Sequence, residues 1–235
     1  MNWAEFGKLV PDKYDTVIIP VGTIEAHGVS PLGTDVMIPV EIATRIAKDL
    51  NAVIAPPVNY GVTSTLLAYP GSLTIGPETF QQYMTGLFMS ISDCGFDKMV
   101  VINGHGGQME ELAAAAKQAW MRKRVKITVV NWWMCCEDIV ERIYGRGGAH
   151  AGTDENAAIQ AFRPDLIKAD LYSDEMVYRR PEGFTTYPSP GTILAYKDGA
   201  GFIDFDQARA ETYFSEAVER VKGHILDIFK RWEKL

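Results

Sequence analysis

The sequence is short of cysteine, histidine and positive charge, and each shortage removes a class of protein. The three cysteines, Cys94, Cys135 and Cys136, form no metal-ligand spacing. Adjacent Cys135 and Cys136 would make a strained bridge at best, and an odd count is no disulfide framework. No apolar run approaches the ~18 residues needed to cross a bilayer. The first eight residues carry Glu5 and Lys8 with no apolar stretch behind them, so a signal peptide is not expected. Lys and Arg total 23 against 30 Asp and Glu, a net charge of −7, the wrong sign for phosphate backbones or anionic lipid. The expectation is a cytoplasmic protein with neither a nucleic-acid nor a membrane partner. Apolar residues, by contrast, are plentiful: 47% of the 235 residues are hydrophobic and 11% aromatic. A chain this long can bury about 70% of its unfolded surface, which excludes disordered and miniprotein classes.

Short apolar runs alternate with helical patterns. Thr16–Val21, rich in β-branched residues and stopped by Gly22, reads as a buried strand, as do residues 52–55, 98–102 and 125–130. Helices are expected over 37–50, 77–94, 108–122, 153–162 and 206–234, with Pro77 opening the second and Gly95 closing it. Residues 178–201 read as irregular. This alternation implies βαβ units, hence a three-layer α/β/α sandwich with a mostly parallel central sheet. No repeat or linker interrupts it, so residues 1–235 are expected to form a single domain.

Ligands of parallel α/β sheets gather beyond the carboxyl ends of the strands, and two strands lead there into unusual loops. The first carries Gly22-Thr23-Ile24-Glu25-Ala26-His27-Gly28 and then Gly33-Thr34-Asp35; the second carries Asn103-Gly104-His105-Gly106-Gly107. A third segment, His150-Ala151-Gly152-Thr153-Asp154-Glu155, precedes a helix. Only four histidines occur, and His27, His105 and His150 all lie in these segments. With Glu25, Asp35 and Glu155 they offer N and O donors and no thiolate, the ligand set of Zn²⁺, Mn²⁺ or Fe²⁺ in a hydrolytic site. Each segment also has a plain reading: Glu25 and His27 in a surface loop, Asp35 capping a helix, Asn103 to Gly107 as a turn, Glu155 facing a helix dipole. Together, at successive strand ends, a shared site explains them better. A G-x-S-x-G elbow is missing, and Gly104 to Gly107 fits neither dinucleotide nor phosphate-loop spacing.

These segments, with Tyr69-Pro70-Gly71-Ser72, resemble the creatininase (creatinine amidohydrolase) family in family order over residues 16 to 160. The resemblance implies a dinuclear metal site and commonly a homohexamer. Glu25 and His105 would bind one metal and His27 the other, with Asp35 bridging. Members acting on creatinine place a glutamate two residues after the strand-end histidine; that position here is Gly107, and Glu155 would supply the missing ligand and share in catalysis. His150 matches the family's acid/base histidine and is expected near its ordinary pKa.

Two divalent cations would activate water and polarise a carbonyl, so hydrolysis of a C–N bond needs no serine or cysteine nucleophile. The reaction expected is hydrolysis of a non-peptide C–N bond in a small-molecule amide, either cyclic or a formamide. Gly107, and Thr65-Leu66 where many relatives carry Glu-His, argue against creatinine itself. Alternatives are deformylation of a formylaminopyrimidine ribonucleotide, ring-opening of an oxidised inositol, trimming of a peptide precursor, and a non-enzymatic metal-binding protein of the same fold. Trp132, Trp133 and Ser72 are candidate substrate contacts, the tryptophans equally well core or interface residues. Tyr178-Arg179-Arg180 reads as a solvated basic face that could alternatively meet an anionic group.

Overall fold

The computed structural model describes residues 1–197 and 199–235. Strands β1 (Thr16–Val21), β2 (Ala52–Ile54), β3 (Lys98–Asn103) and β4 (Lys126–Asn131) form one parallel sheet in the order β2-β1-β3-β4. Successive side chains of a strand point to opposite faces, so the near-continuous apolar runs of β1 and β3 serve two cores at once. Val17, Ile19, Val21, Met99 and Val101 pack with Phe80, Met84 and Phe88 of α3 (Pro77–Asp93) and with Leu112, Ala115 and Ala119 of α4 (Met109–Lys123). Ile18, Val100 and Ile102 face the other way, onto α2 (Thr34–Ile46), α6 (Thr153–Phe162) and α7 (Gln207–Trp232). The result is the α/β/α sandwich expected, and among the described residues no helix is long and apolar enough to cross a membrane.

The strand order locates the site. From β1 the chain crosses to β2 on one side, and from β3 to β4 on the other, so the connections diverge at the carboxyl ends of β1 and β3. A crevice opens at such a switch point, and the Glu25–His27 and His105 loops leave the sheet there.

The structure departs from the sequence reading in three places. Helix α2 starts at Thr34, earlier than position 37, so Asp35 lies inside its first turn, and the cap position is Gly33 with no side-chain bond. Two short helices, α1 (Trp3–Leu9) and α5 (Glu137–Tyr144), were not legible as helices. Within 178–201 the chain forms β6 (Ile193–Ala195), which pairs in parallel with β5 (Val177–Arg179).

Candidate metal centre

Asp35 reaches the strand ends because two glycines leave room for its backbone. A Cβ at Gly22 would stand 2.2 Å from the Asp35 carbonyl oxygen, and one at Gly104 would stand 2.0 Å from it. Neither position tolerates a side chain while α2 is seated between β1 and β3. Pro39, inside α2, has no N–H to give that carbonyl, which leaves the Asp35 turn free to press against the glycines. The Glu25–His27 loop is held by Ser72, whose Oγ accepts from the Ala26 N–H at 3.0 Å. Asn103, at the end of β3, clamps the next loop from both sides: its Oδ1 accepts from the His105 N–H and its Nδ2 donates to the His105 carbonyl. Gln108 and Asn131 in turn fix the Asn103 amide.

All three loop histidines are oriented in the same manner. A carbonyl can only accept, so the ring nitrogen facing it carries the proton. His27 Nδ1 donates to the Glu25 carbonyl at 3.0 Å, His105 Nε2 to Val62 at 2.8 Å, and His150 Nε2 to Ala26 at 3.0 Å. The second nitrogen of each ring is thereby aimed at carboxylates. His27 Nε2 is 2.9 Å from Asp35 Oδ1 and 3.7 Å from Glu155 Oε2; His105 Nδ1 is 3.0 Å from Asp35 Oδ2 and 3.1 Å from Glu25 Oε1. His150 Nδ1 is 3.5 Å from Glu25 Oε1.

These contacts are close but lie off the hydrogen-bond line. Glu25 Oε1, His27 Nε2 and Asp35 Oδ2 are all buried and have no hydrogen-bond partner. Buried polar atoms without partners are uncommon, and here they converge on shared points instead of on one another. Two sets of three donors result, Glu25 with Asp35 and His105, and His27 with Asp35 and Glu155. Asp35 belongs to both. A third set joins Glu25, His27 and His150. Oxygen and imidazole donors with preset tautomers suit divalent transition-metal ions, so the residues present fit a two-cation site.

The third loop is shaped by its acids. Glu155 Oε2 accepts from the Ala151 N–H at 2.6 Å, and Asp154 Oδ1 from the Ala149 N–H at 3.1 Å. Gly148 is needed here, since a Cβ would stand 2.3 Å from the Asp154 carboxylate. The His150 backbone exchanges two hydrogen bonds with Leu194 of β6, tying this loop to the small sheet.

Burial and charge divide the cluster. Burial disfavours the charged His27 ring, but the carboxylates of Asp35, Glu155 and Glu25 outweigh it and push its pKa up to about 10. His105 is raised well above its ordinary value, burial again being overcome, here by Glu25 and Asp35. Burial also opposes ionisation of Asp35 and Glu25, yet the neighbouring imidazoles hold both below the usual carboxylate range. His150 does not keep the ordinary value expected of it. Burial, and then the charge of His27 with its ring centroid 4.4 Å away, lower it to about 4. Burial raises Glu155 well above its usual range.

A cavity of about 520 Å³ opens over the cluster, with Glu25, His105, His150 and Glu155 in its wall. Two candidate substrate contacts fall elsewhere. Trp132 is fully buried in the core beside α7, and Ser72 braces the Glu25–His27 loop without lining the cavity. Trp133 does line it, with Leu66, Met134 and Tyr196, and so does Arg180, which is exposed as a solvated basic face would be. Sequence reasoning gave no role to Asn103 and Asn131; the signal available was a polar residue ending each of two apolar strands, which the structure pairs in register. At Gly107 a Cβ would meet His105 Nε2 at 2.5 Å and the Val62 carbonyl at 2.6 Å, so any side chain there has to displace the bond between them.

The family model for creatininase, creatinine amidohydrolase, matches residues 1–221. A mycofactocin precursor peptide peptidase of Mycolicibacterium smegmatis is 32% identical over 168 residues, 68% of this chain and 62% of its own length. Its counterpart in Mycobacterium ulcerans is 27% identical over 174 residues, 70% and 65% of the two chains. The chain thus spans just under two thirds of these peptidases. Creatinine amidohydrolase of Pseudomonas putida is 24% identical over 226 residues, 84% of this chain and 85% of that one. A crystal structure of creatininase shares the fold with a TM-score of 0.84 at 20% identity, covering 97% and 96% of the two chains. Related creatininase structures are described as a Zn-Zn type and as a Mn form. A match running through every segment that carries a donor makes this chain a member of the creatininase family of hydrolases.

Proposed function

We propose that this protein is a two-metal amidohydrolase that cleaves a C–N bond outside ordinary peptides, in a small cyclic amide or a formamide. The observation that carries the reading is the convergence of three tautomer-fixed imidazoles and three carboxylates beneath one cavity. Glu25, Asp35 and His105 would hold one cation, and His27, Asp35 and Glu155 the other; zinc and manganese suit these donors. Such cations, when bound, polarise an amide carbonyl and lower the pKa of water toward about 7.

The remaining chemistry falls to the chain itself. His150 is pinned through Nε2 to Ala26, so its Nδ1 is the atom that exchanges protons. Its depressed pKa keeps it neutral at pH 7, ready to accept a proton at Nδ1 and pass it to the leaving nitrogen. Trp133, Leu66 and Met134 supply apolar wall against which a small substrate excludes water. A volume near 520 Å³ sits within the roughly 300–1,000 Å³ of small-molecule sites.

The likeness to mycofactocin precursor peptide peptidases favours a second reading, cleavage of a precursor peptide. A panel of formamides, lactams and short peptides, followed by release of formate or amine, separates the two. The purified protein should hold two divalent cations per chain and lose turnover to a chelator. Asp35→Asn should lose both cations and activity while keeping the circular-dichroism spectrum. Full turnover by metal-free protein would refute the proposal.

A further inference from the structure

We infer that the substrate carries an anionic oxyacid group, a carboxylate or a phosphate, which Arg180 grips at the rim of the cavity. The inference rests on the amidohydrolase reading for the identity of the reacting bond. Its grounds are separate from the metal donors.

Arg180 and Tyr196 lie just beyond the paired strands β5 and β6, one residue past the register pair Arg179 and Ala195. The Arg180 N–H donates to the Ala195 carbonyl at 3.1 Å, which fixes its backbone. Its guanidinium lies 4.9 Å from the centroid of the Tyr196 ring. A cation–π contact of this kind restrains the guanidinium without using its N–H donors. Both residues line the cavity that His150 and Glu155 also line. The same small sheet carries Leu194, whose backbone is bonded to that of His150 in both directions. Rim arginine and proton-transfer histidine are therefore mounted on one hydrogen-bonded frame.

Charge pairing points the same way. Two Lys or Arg side chains line the cavity. Lys197 is tied to Glu137, whereas no carboxylate among the described residues pairs with Arg180. Glu25, Glu137, Asp154 and Glu155 are in the same wall, and among the described residues none of them forms an ion pair with this guanidinium. A guanidinium that lies over the Tyr196 ring, lines the cavity and has no carboxylate partner among the described residues matches a two-oxygen anion, which it can bind through paired N–H donors.

The test is titration calorimetry on the metal-loaded protein with three probes: N-formylglycine, its neutral counterpart N-formylglycinamide, and N-formylaminomethylphosphonate. The wild type should bind an anionic probe roughly tenfold or more tightly than the neutral one, equivalent to about 1.4 kcal/mol. Arg180→Gln should reduce that preference below about twofold, with two cations still bound. Arg180→Lys should keep only part of it, since an ammonium lacks the fork. Tyr196→Leu should weaken it, and Tyr196→Phe should retain it. The anion whose binding falls more in Arg180→Gln identifies carboxylate or phosphate as the group recognised. An equal preference in wild type and Arg180→Gln, the absence of a preference, or failure of both anions to bind would overturn the inference. Arg180-dependent binding without any amide turnover would instead refute the hydrolase reading and leave the subsite standing.

Discussion

Gly107→Ala should damage metal binding although position 107 offers no donor atom. The ideal Cβ at this position stands 2.5 Å from His105 Nε2 and 2.6 Å from the Val62 carbonyl oxygen. An ordinary contact is about 3.5 Å, so each neighbour must retreat by roughly 1 Å. Those neighbours are the two ends of one hydrogen bond, 2.8 Å long. Moving either past that distance stretches it beyond about 3.5 Å, where it ceases to be a bond. His105 then loses the contact that keeps its proton on Nε2 and its Nδ1 lone pair toward Glu25 and Asp35. Loss of such an outer contact typically lowers metal affinity by about 10–100-fold, or roughly 1.4–2.7 kcal/mol. Competition against a chelating dye measures this directly, with melting of the metal-free protein as the control for folding. Cation affinity within about twofold of wild type would refute the reasoning. Gly107→Glu should fare no better, because its carboxylate must first pass the same obstruction at Cβ.

The two neighbouring tryptophans should separate stability from binding: Trp132→Ala should cost about 3–5 kcal/mol in denaturant unfolding, since Trp132 is fully buried. Trp133→Ala should lower the unfolding midpoint by less, its ring being only half-buried against the same core, and should alter KM, because that ring also lines the cavity. Ser72→Ala removes the acceptor of the Ala26 N–H and should cost about 1–3 kcal/mol, read as a lower melting temperature. Metal-free protein should melt at lower temperature as pH rises. His27 has a folded pKa raised to about 10 from 6.5, so its stabilising charge is complete below pH 6.5 and is lost on the way to about 10. A melting temperature that climbs over that interval would contradict the assignment.

The sheet and the first-loop donors were legible in the sequence because their signals are local. A strand buried on both faces has to be apolar throughout, and β1 and β3 are. Acids and imidazoles flanked by glycine at strand ends mark places where backbone approaches closely, as Gly22 and Gly104 do around Asp35. What escaped depends on packing across the chain. Trp132 and Trp133 are adjacent, and the tight turn after β4 decides which enters the core. The depressed pKa of His150 arises from burial and from the His27 ring, 123 positions away in sequence but with its centroid 4.4 Å away. Arg180 gains its place from a three-residue strand pair too short to give a period. The Val62 carbonyl that orients His105 is main chain, and no side-chain pattern announces it.

The two donor sets share Asp35 but differ in what ionisation demands of them. Glu25 and Asp35 are held ionised and His27 and His105 charged, so the metal-free cluster already balances two anions with two cations. Cation uptake is then an exchange in which metal replaces the protons of His27 and His105. The set of Glu25, Asp35 and His105 needs one proton removed. The set of His27, Asp35 and Glu155 needs more, because burial also raises Glu155 well above its usual range. The second set should therefore fill later and depend more steeply on pH. Equilibrium dialysis against zinc across a pH series should find occupancy nearer one cation per chain at the acid end and nearer two at the alkaline end. Glu155→Gln should hold one cation at both. Equal filling of both positions at the lower pH would show that burial does not govern Glu155, and with that the distinction between the two sets would fall.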